Sequence, residues 1–169
     1  MKYQIGQYIM HRNKGIYTVE AIGNMAFSPG AERTYYTLRP SFSDSSERVY
    51  VPVEKADASL KNVMTEKEAQ TYLENFGKMQ VKPTLTNKAP MLAAHYRELL
   101  SSCNVSDHLR LYKEIYEKEA LAVKNGKKIG ATEQQFMKKV AHLLSEEFAI
   151  ALHESPESSA RRLEELLHA

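Results

Sequence analysis

The sequence predicts an α+β protein of two domains, a small β-barrel over residues 1–62 followed by a compact all-α domain of about five helices over residues 63–169. Three observations carry this. Short runs of β-branched and aromatic residues crowd the first 60 positions, apolar spacing turns helical after residue 62, and two Thr-x-x-Glu/Gln sequences stand where helices would begin.

The expected strands are residues 7–12, 15–23, 33–39 and 47–53, with alternation clearest in Ile16-Tyr17-Thr18-Val19-Glu20-Ala21-Ile22. Ser28-Pro29-Gly30 and Phe42-Ser43-Asp44-Ser45-Ser46 break the runs. Four or five strands in so short a space bury a core by curling into a small barrel.

The helical half begins with Thr65-Glu66-Lys67-Glu68, a capping box whose helix is expected to end at Gly77. Residues 82–90 read as a linker, and Pro90 suits the first turn of a second helix running to about Cys103. Ser106 is the expected cap of a third, with Leu109, Tyr112, Tyr116, Ala120 and Val123 near one face and Gly126 as its end. Thr132-Glu133-Gln134-Gln135 reads as a second capping box, opening a fourth helix with Phe136, Val140, Leu143, Leu144, Phe148, Ala151 and Leu152 inward; Ser155-Pro156 starts a fifth. There is no internal repeat and no low-complexity tail.

With 43% hydrophobic and 26% charged residues, the 169-residue chain has the composition of a soluble globular protein with a modest core in each half. The opening MKYQIGQYIMH lacks the features of a secretory signal, and no apolar run approaches the roughly 18 residues a membrane span needs, so the cytoplasm is the expected location and no membrane partner is expected. The single cysteine, Cys103, excludes an internal disulfide and suits a reducing compartment. A glycine-rich phosphate loop, a His-Glu-x-x-His spacing and a nucleophile elbow are all missing. The expectation is therefore a protein that is not an enzyme, with no catalytic residues, metal, cofactor or small-molecule substrate.

The net charge of +2 hides an asymmetry. Residues 78–142 hold twelve Lys/Arg against six acids, whereas the last 27 residues are net −4. A basic central segment is the footprint of a surface facing nucleic acid, although a solvated helical face carries similar charge.

Several short motifs fall in a recognisable order: Ile5-Gly6, Tyr8-Ile9-Met10, Gly15 nine positions after the first glycine, Val19-Glu20-Ala21-Ile22, Tyr35-Tyr36-Thr37-Leu38, Val51-Pro52 and Ser59-Leu60-Lys61. With the His95-Tyr96-Arg97 region and the helix expected at Thr132, this order resembles CarD-like bacterial transcription regulators. Their N-terminal RNA-polymerase-interacting domain is shared with the transcription-repair coupling factor. The sequence departs from the pattern at Gln7, where the family has an acid, and at His11-Arg12-Asn13-Lys14, where it often has Tyr-Pro-x-His. Tyr50 stands where some members have a basic residue, with Arg48 two positions earlier. Leu92, beside Met91, stands where some carry tryptophan.

The resemblance implies an SH3/Tudor-like barrel that grips the polymerase β subunit strand to strand, with Tyr36, Arg48 and Tyr50 at the contact. It further implies promoter DNA contacts by the helical domain. Arg97, Arg110, Lys127, Lys128, Lys138 and Lys139 would meet phosphates, and Met91 and Leu92 would offer an apolar wedge to the minor groove, with buried packing as the alternative for Leu92. An aromatic cage from Tyr35, Tyr36 and Tyr50 is disfavoured because adjacent strand residues face opposite ways. The resulting expectation is a monomeric regulator that shifts the balance between closed and open promoter complexes; the rival reading is a polymerase- or protein-binding adaptor with no DNA role.

Overall fold

The computed structural model describes residues 2–83 and 88–168, so residues 84–87, the middle of the expected linker, lie outside the described residues. The chain divides into two compact units, Met1–Val63 and Met64–Ala169.

The first unit is a five-stranded antiparallel sheet of β1 (Tyr8–His11), β2 (Gly15–Ala26), β3 (Glu32–Pro40), β4 (Val49–Pro52) and β5 (Leu60–Asn62), in the order β4-β3-β2-β1-β5. A short 3-10 turn and the four-residue helix α1 (Ala56–Ser59) lead into β5. The tight return from β1 to β2 needs left-handed backbone, which Asn13 (φ 63°) tolerates and Gly15 (φ 120°) supplies.

Tyr17, Val19, Tyr36, Leu38 and Val51 line the core of this unit with Tyr3, Ile9, Ala56 and Leu60. Strict alternation would turn Ala21 inward after Tyr17 and Val19. Instead Glu20 is an extra residue between the pairs Val19–Leu38 and Ala21–Thr37, and this bulge shifts the parity so that Ile22 lies opposite the buried Tyr36 and packs on the core. Gly23 does not end the strand, which runs to Ala26 before the turn at Ser28, where the Ala31 N–H donates to the Ser28 carbonyl. The strand at Leu60, too short to show alternation, was not among the expected ones.

The second unit consists of α2 (Glu66–Lys78), α3 (Ala89–Ser101), α4 (Val105–Lys124), α5 (Ala131–Leu152) and α6 (Pro156–Leu167). The capping box of α2 is formed, Thr65 Oγ1 accepting from the Glu68 N–H at 3.1 Å and Glu68 Oε1 from the Thr65 N–H at 3.0 Å. That bond holds the Glu68 carboxyl below its ordinary range. Gly77 does not stop the helix, which continues to Lys78. Ser155 and Pro156 open α6 as expected.

Two caps move. Asn104, not Ser106, caps α4, its Oδ1 accepting from the Ser106 N–H at 2.8 Å and the Asp107 N–H at 3.4 Å. Gly130, not Thr132, precedes α5, and Glu133 reaches back to accept from the Gly130 N–H at 2.9 Å. In each case the cap sits two positions earlier, where Asn104 accepts from the first-turn N–H groups of α4 and the Gly130 N–H finds the Glu133 carboxylate in the first turn of α5.

Helix α5 touches the other four helices. Its expected stripe is buried at Val140, Leu143, Leu144, Phe148 and Ala151, but Ser145, Glu146 and Glu147 are buried too, so this stretch is enclosed all round. The Glu147 carboxylate accepts from the Met64 N–H at 3.3 Å. In α4 the buried set is Val105, His108, Leu109, Leu111, Tyr112, Glu114 and Ile115, whereas Ala120 and Val123, expected inward, are exposed. No helix among the described residues is long and apolar enough to cross a membrane.

Candidate interaction surfaces

The sheet has two ends, β4 and β5, and β4 pairs only with β3. Register along β4 places Tyr36 opposite Val51 and Tyr50 opposite Thr37. Successive residues of β3 therefore divide between the faces: Tyr36 points into the core, and Tyr35 shares the outer face with Tyr50.

This overturns the expectation that Tyr36 contacts a partner. It is 0% exposed, its ring meets Tyr3 edge-on at 5.5 Å, and its hydroxyl accepts from the Tyr3 N–H at 3.2 Å. Tyr50, in contrast, is 40% exposed. Arg48 lies just before β4 and is half-buried; its Nε donates to Glu20 at 2.7 Å and a terminal nitrogen to the Glu47 carbonyl at 2.9 Å. The bulge at Glu20 thus has a second consequence, supplying the carboxylate that matches Arg48.

Phe27, which lies between the expected strands 15–23 and 33–39, is 62% exposed and packs against both outer tyrosines, with ring centroids 5.1 Å from Tyr35 and 5.4 Å from Tyr50. The extension of β2 past Gly23 carries it there. An aromatic just ahead of the Ser-Pro-Gly turn was the only available signal, and it is weak without the register.

In the helical unit, Leu92 and Met91 separate. Leu92 is 3% exposed and Met91 59%. Leu92 falls on the buried stripe of α3 with Tyr96 and Leu100, at the four-residue spacing that faces the core, so it is not an apolar wedge at the surface. Leu92, Lys127 and Lys128 line one cleft of about 540 Å³, with Lys118 and Glu133 on the same wall. Lys118 Nζ stands 3.7 Å from Glu133. Arg97 on α3, Arg110 on α4 and Lys138 and Lys139 on α5 are all exposed. None of Arg97, Arg110, Lys127, Lys128, Lys138 and Lys139 has an ion-pair partner among the described residues.

Beneath these cations the interior holds carboxylates. His95 Nε2 lies 2.9 Å from the buried Glu114, tying α3 to α4. Burial, and after it the charges of Glu114 and Glu133, pushes the Tyr96 phenol well above its ordinary range, so it stays neutral. The Tyr96 hydroxyl finds no hydrogen-bond partner among the described residues. Cys103 is buried in the turn between α3 and α4, its Sγ 3.5 Å from the Ser101 carbonyl. No group of three or more His, Cys, Asp or Glu residues among the described residues is arranged to hold a metal.

No curated protein matches the chain. Residues 3–64, which span the β-unit and carry the Gly6, Gly15 and Val51-Pro52 landmarks in order, match the family model described as the CarD-like/TRCF RID domain, and this match supports a CarD-like RNA-polymerase-interacting domain in that part of the chain.

Proposed function

We propose that the chain is a non-enzymatic transcription regulator that binds the RNA polymerase β subunit through its N-terminal unit and promoter DNA through its helical unit, modulating open-complex stability. One observation carries the DNA half: a polymerase-interacting domain is joined to a helical unit whose six exposed cations have no carboxylate partner among the described residues. Lysine and arginine that are not neutralised within the protein are free to replace the counterions condensed on phosphates. Such contacts position a protein without reading sequence.

The β-unit is read as an SH3/Tudor-like small barrel, in which the bulge at Glu20 and the twelve-residue β2 supply the coiling. Its β4 edge accepts a strand of the β subunit, main-chain hydrogen bonds giving affinity and alternate side chains giving choice. Tyr50 stays at this contact, and Arg48, paired with Glu20, borders it. Met91, exposed on the first turn of α3, is the remaining apolar candidate for the minor groove, and Arg97, Arg110, Lys127, Lys128, Lys138 and Lys139 face the backbone. Tethering to polymerase raises the local concentration of the helices at the promoter, so weak DNA affinity suffices. The protein acts as a cytoplasmic monomer, and its effect on promoter opening is limited to the difference in its affinity for the closed and open states.

Two titrations of the intact chain test this. Polymerase β subunit should be captured by the immobilised chain. Duplex DNA should bind with an affinity that falls as salt rises, at a slope of about −0.9 per phosphate contact. Capture of polymerase with no salt-dependent DNA binding would leave the adaptor reading in its place.

A further inference from the structure

Exposed aromatic rings in mutual contact are expensive to leave in water, and a small domain that keeps them beside an unpaired strand edge is shaped for an occupant. The three rings of Phe27, Tyr35 and Tyr50 form such a patch on the outer face of the sheet, with Tyr50 belonging at once to the patch and to the β4 edge. Phe27 stands at 85° to Tyr35 and 57° to Tyr50, so the ring faces open in different directions. A facetted wall of this kind suits a compact aliphatic side chain, which touches several faces at once.

Charge narrows the occupant further. The patch is bordered by Arg48, 2.7 Å from Glu20, and by Arg33, 3.3 Å from Glu54. Each guanidinium is already matched by one carboxylate, so the rim is neutral, and a charged group arriving there gains no free partner while losing water.

We infer that the occupant of this patch is an extended segment of RNA polymerase lying along β4 and setting an uncharged aliphatic side chain on the Phe27–Tyr35–Tyr50 wall, with Phe27 as the specificity-determining residue. This rests on the reading of the β4 edge as the polymerase contact. It assigns the recognition to apolar contact, with Arg48 holding Glu20 and shaping the rim. A strand added at β4 presents alternate side chains to the outer face, which brings one of them over the patch while the main chain pairs with the edge.

The test is the affinity of the intact chain for purified RNA polymerase at low and high salt, with Phe27→Ala, Phe27→Leu and Arg48→Ala variants. Because Phe27 lies outside the core of the β-unit, unchanged melting of the variants is the control on folding. Phe27→Ala should weaken binding at least about tenfold, as loss of a central aromatic contact does, at both salt concentrations. Phe27→Leu should retain much of the affinity, and Arg48→Ala should change it less than about threefold, in line with an ion pair at the surface. Phe27→Ala within about twofold of the parent would overturn the inference, as would a larger, salt-dependent loss on Arg48→Ala, which would make the contact ionic. A parent chain that does not bind polymerase at all would remove the underlying reading and the inference together, whereas strong binding indifferent to Phe27 removes the inference alone.

Discussion

The two units spend their polar and apolar residues in opposite ways. In the β-unit the two cations beside the outer aromatic rings are matched, Arg48 by Glu20 and Arg33 by Glu54, and the rings of Phe27 and Tyr50 stand exposed. In the helical unit the carboxylates Glu114, Glu133, Glu146 and Glu147 are buried, while Arg97, Arg110, Lys127, Lys128, Lys138 and Lys139 are exposed without an ion-pair partner among the described residues. Apolar contact is almost indifferent to salt, whereas phosphate contact depends on it steeply, so one chain should carry two interactions with opposite responses to ionic strength. Charge totals conceal this, since a net +2 is the residue of two separate arrangements.

The sharpest way to separate core from surface in both units is truncation. Tyr36→Ala and Leu92→Ala should each destabilise their unit by about 2–5 kcal/mol, read as a lowered denaturation midpoint, because both side chains are enclosed. Met91→Ala, removing an exposed neighbour of Leu92, should shift stability by less than about 0.5 kcal/mol. A mild Leu92→Ala would return that residue to the list of surface contacts.

Next in size are the cations. If Arg97, Lys138 and Lys139 each meet a phosphate, replacing any one with alanine should flatten the dependence of log affinity on log salt by roughly one unit, equally on unrelated duplexes. Loss confined to one sequence would mean base readout instead. A smaller effect belongs to Asn104→Ala, which removes the α4 cap and should cost about 0.5–2 kcal/mol in thermal unfolding.

The smallest expected effect is on pH. Burial holds the His11 imidazole below its ordinary pKa, against a hydrogen bond to the Arg12 carbonyl that pulls the other way. A base whose folded pKa is depressed binds its proton more readily in the unfolded chain. The β-unit should therefore lose stability as pH falls through and below the ordinary histidine pKa of about 6.5. His11→Gln should remove that part of the slope, measured by denaturation between neutral and mildly acidic pH.

How much of this could be read from residues alone depends on which rule governed each site. The capping box at Thr65 and the Ser155-Pro156 start were legible because both signals are local. The faces along β2 were not, because one extra residue at Glu20 reverses the parity of the rest of that strand and no local pattern announces the extra residue. The expectation for Tyr36 comes from the resemblance instead, and its burial follows from the pairing of β3 with β4, which sets it opposite the buried Val51. Leu92 was misplaced differently: its four-residue spacing to Tyr96 and Leu100 marked a buried stripe, but the resemblance drew attention to an aligned position instead. The exposed end of α4, at Ala120 and Val123, shows a period outlasting the packing partner that usually explains it.

The most direct measurement is the affinity of the intact chain for RNA polymerase with and without bound promoter DNA, across a range of salt. Two partners acting together should make binding tighter on the polymerase–promoter complex than on polymerase alone. The gain should shrink as salt rises and should fall away in a Lys138→Ala/Lys139→Ala double variant whose affinity for free polymerase is unchanged. Equal affinity for both forms at every salt concentration would contradict a DNA-contacting helical unit and leave a polymerase adaptor.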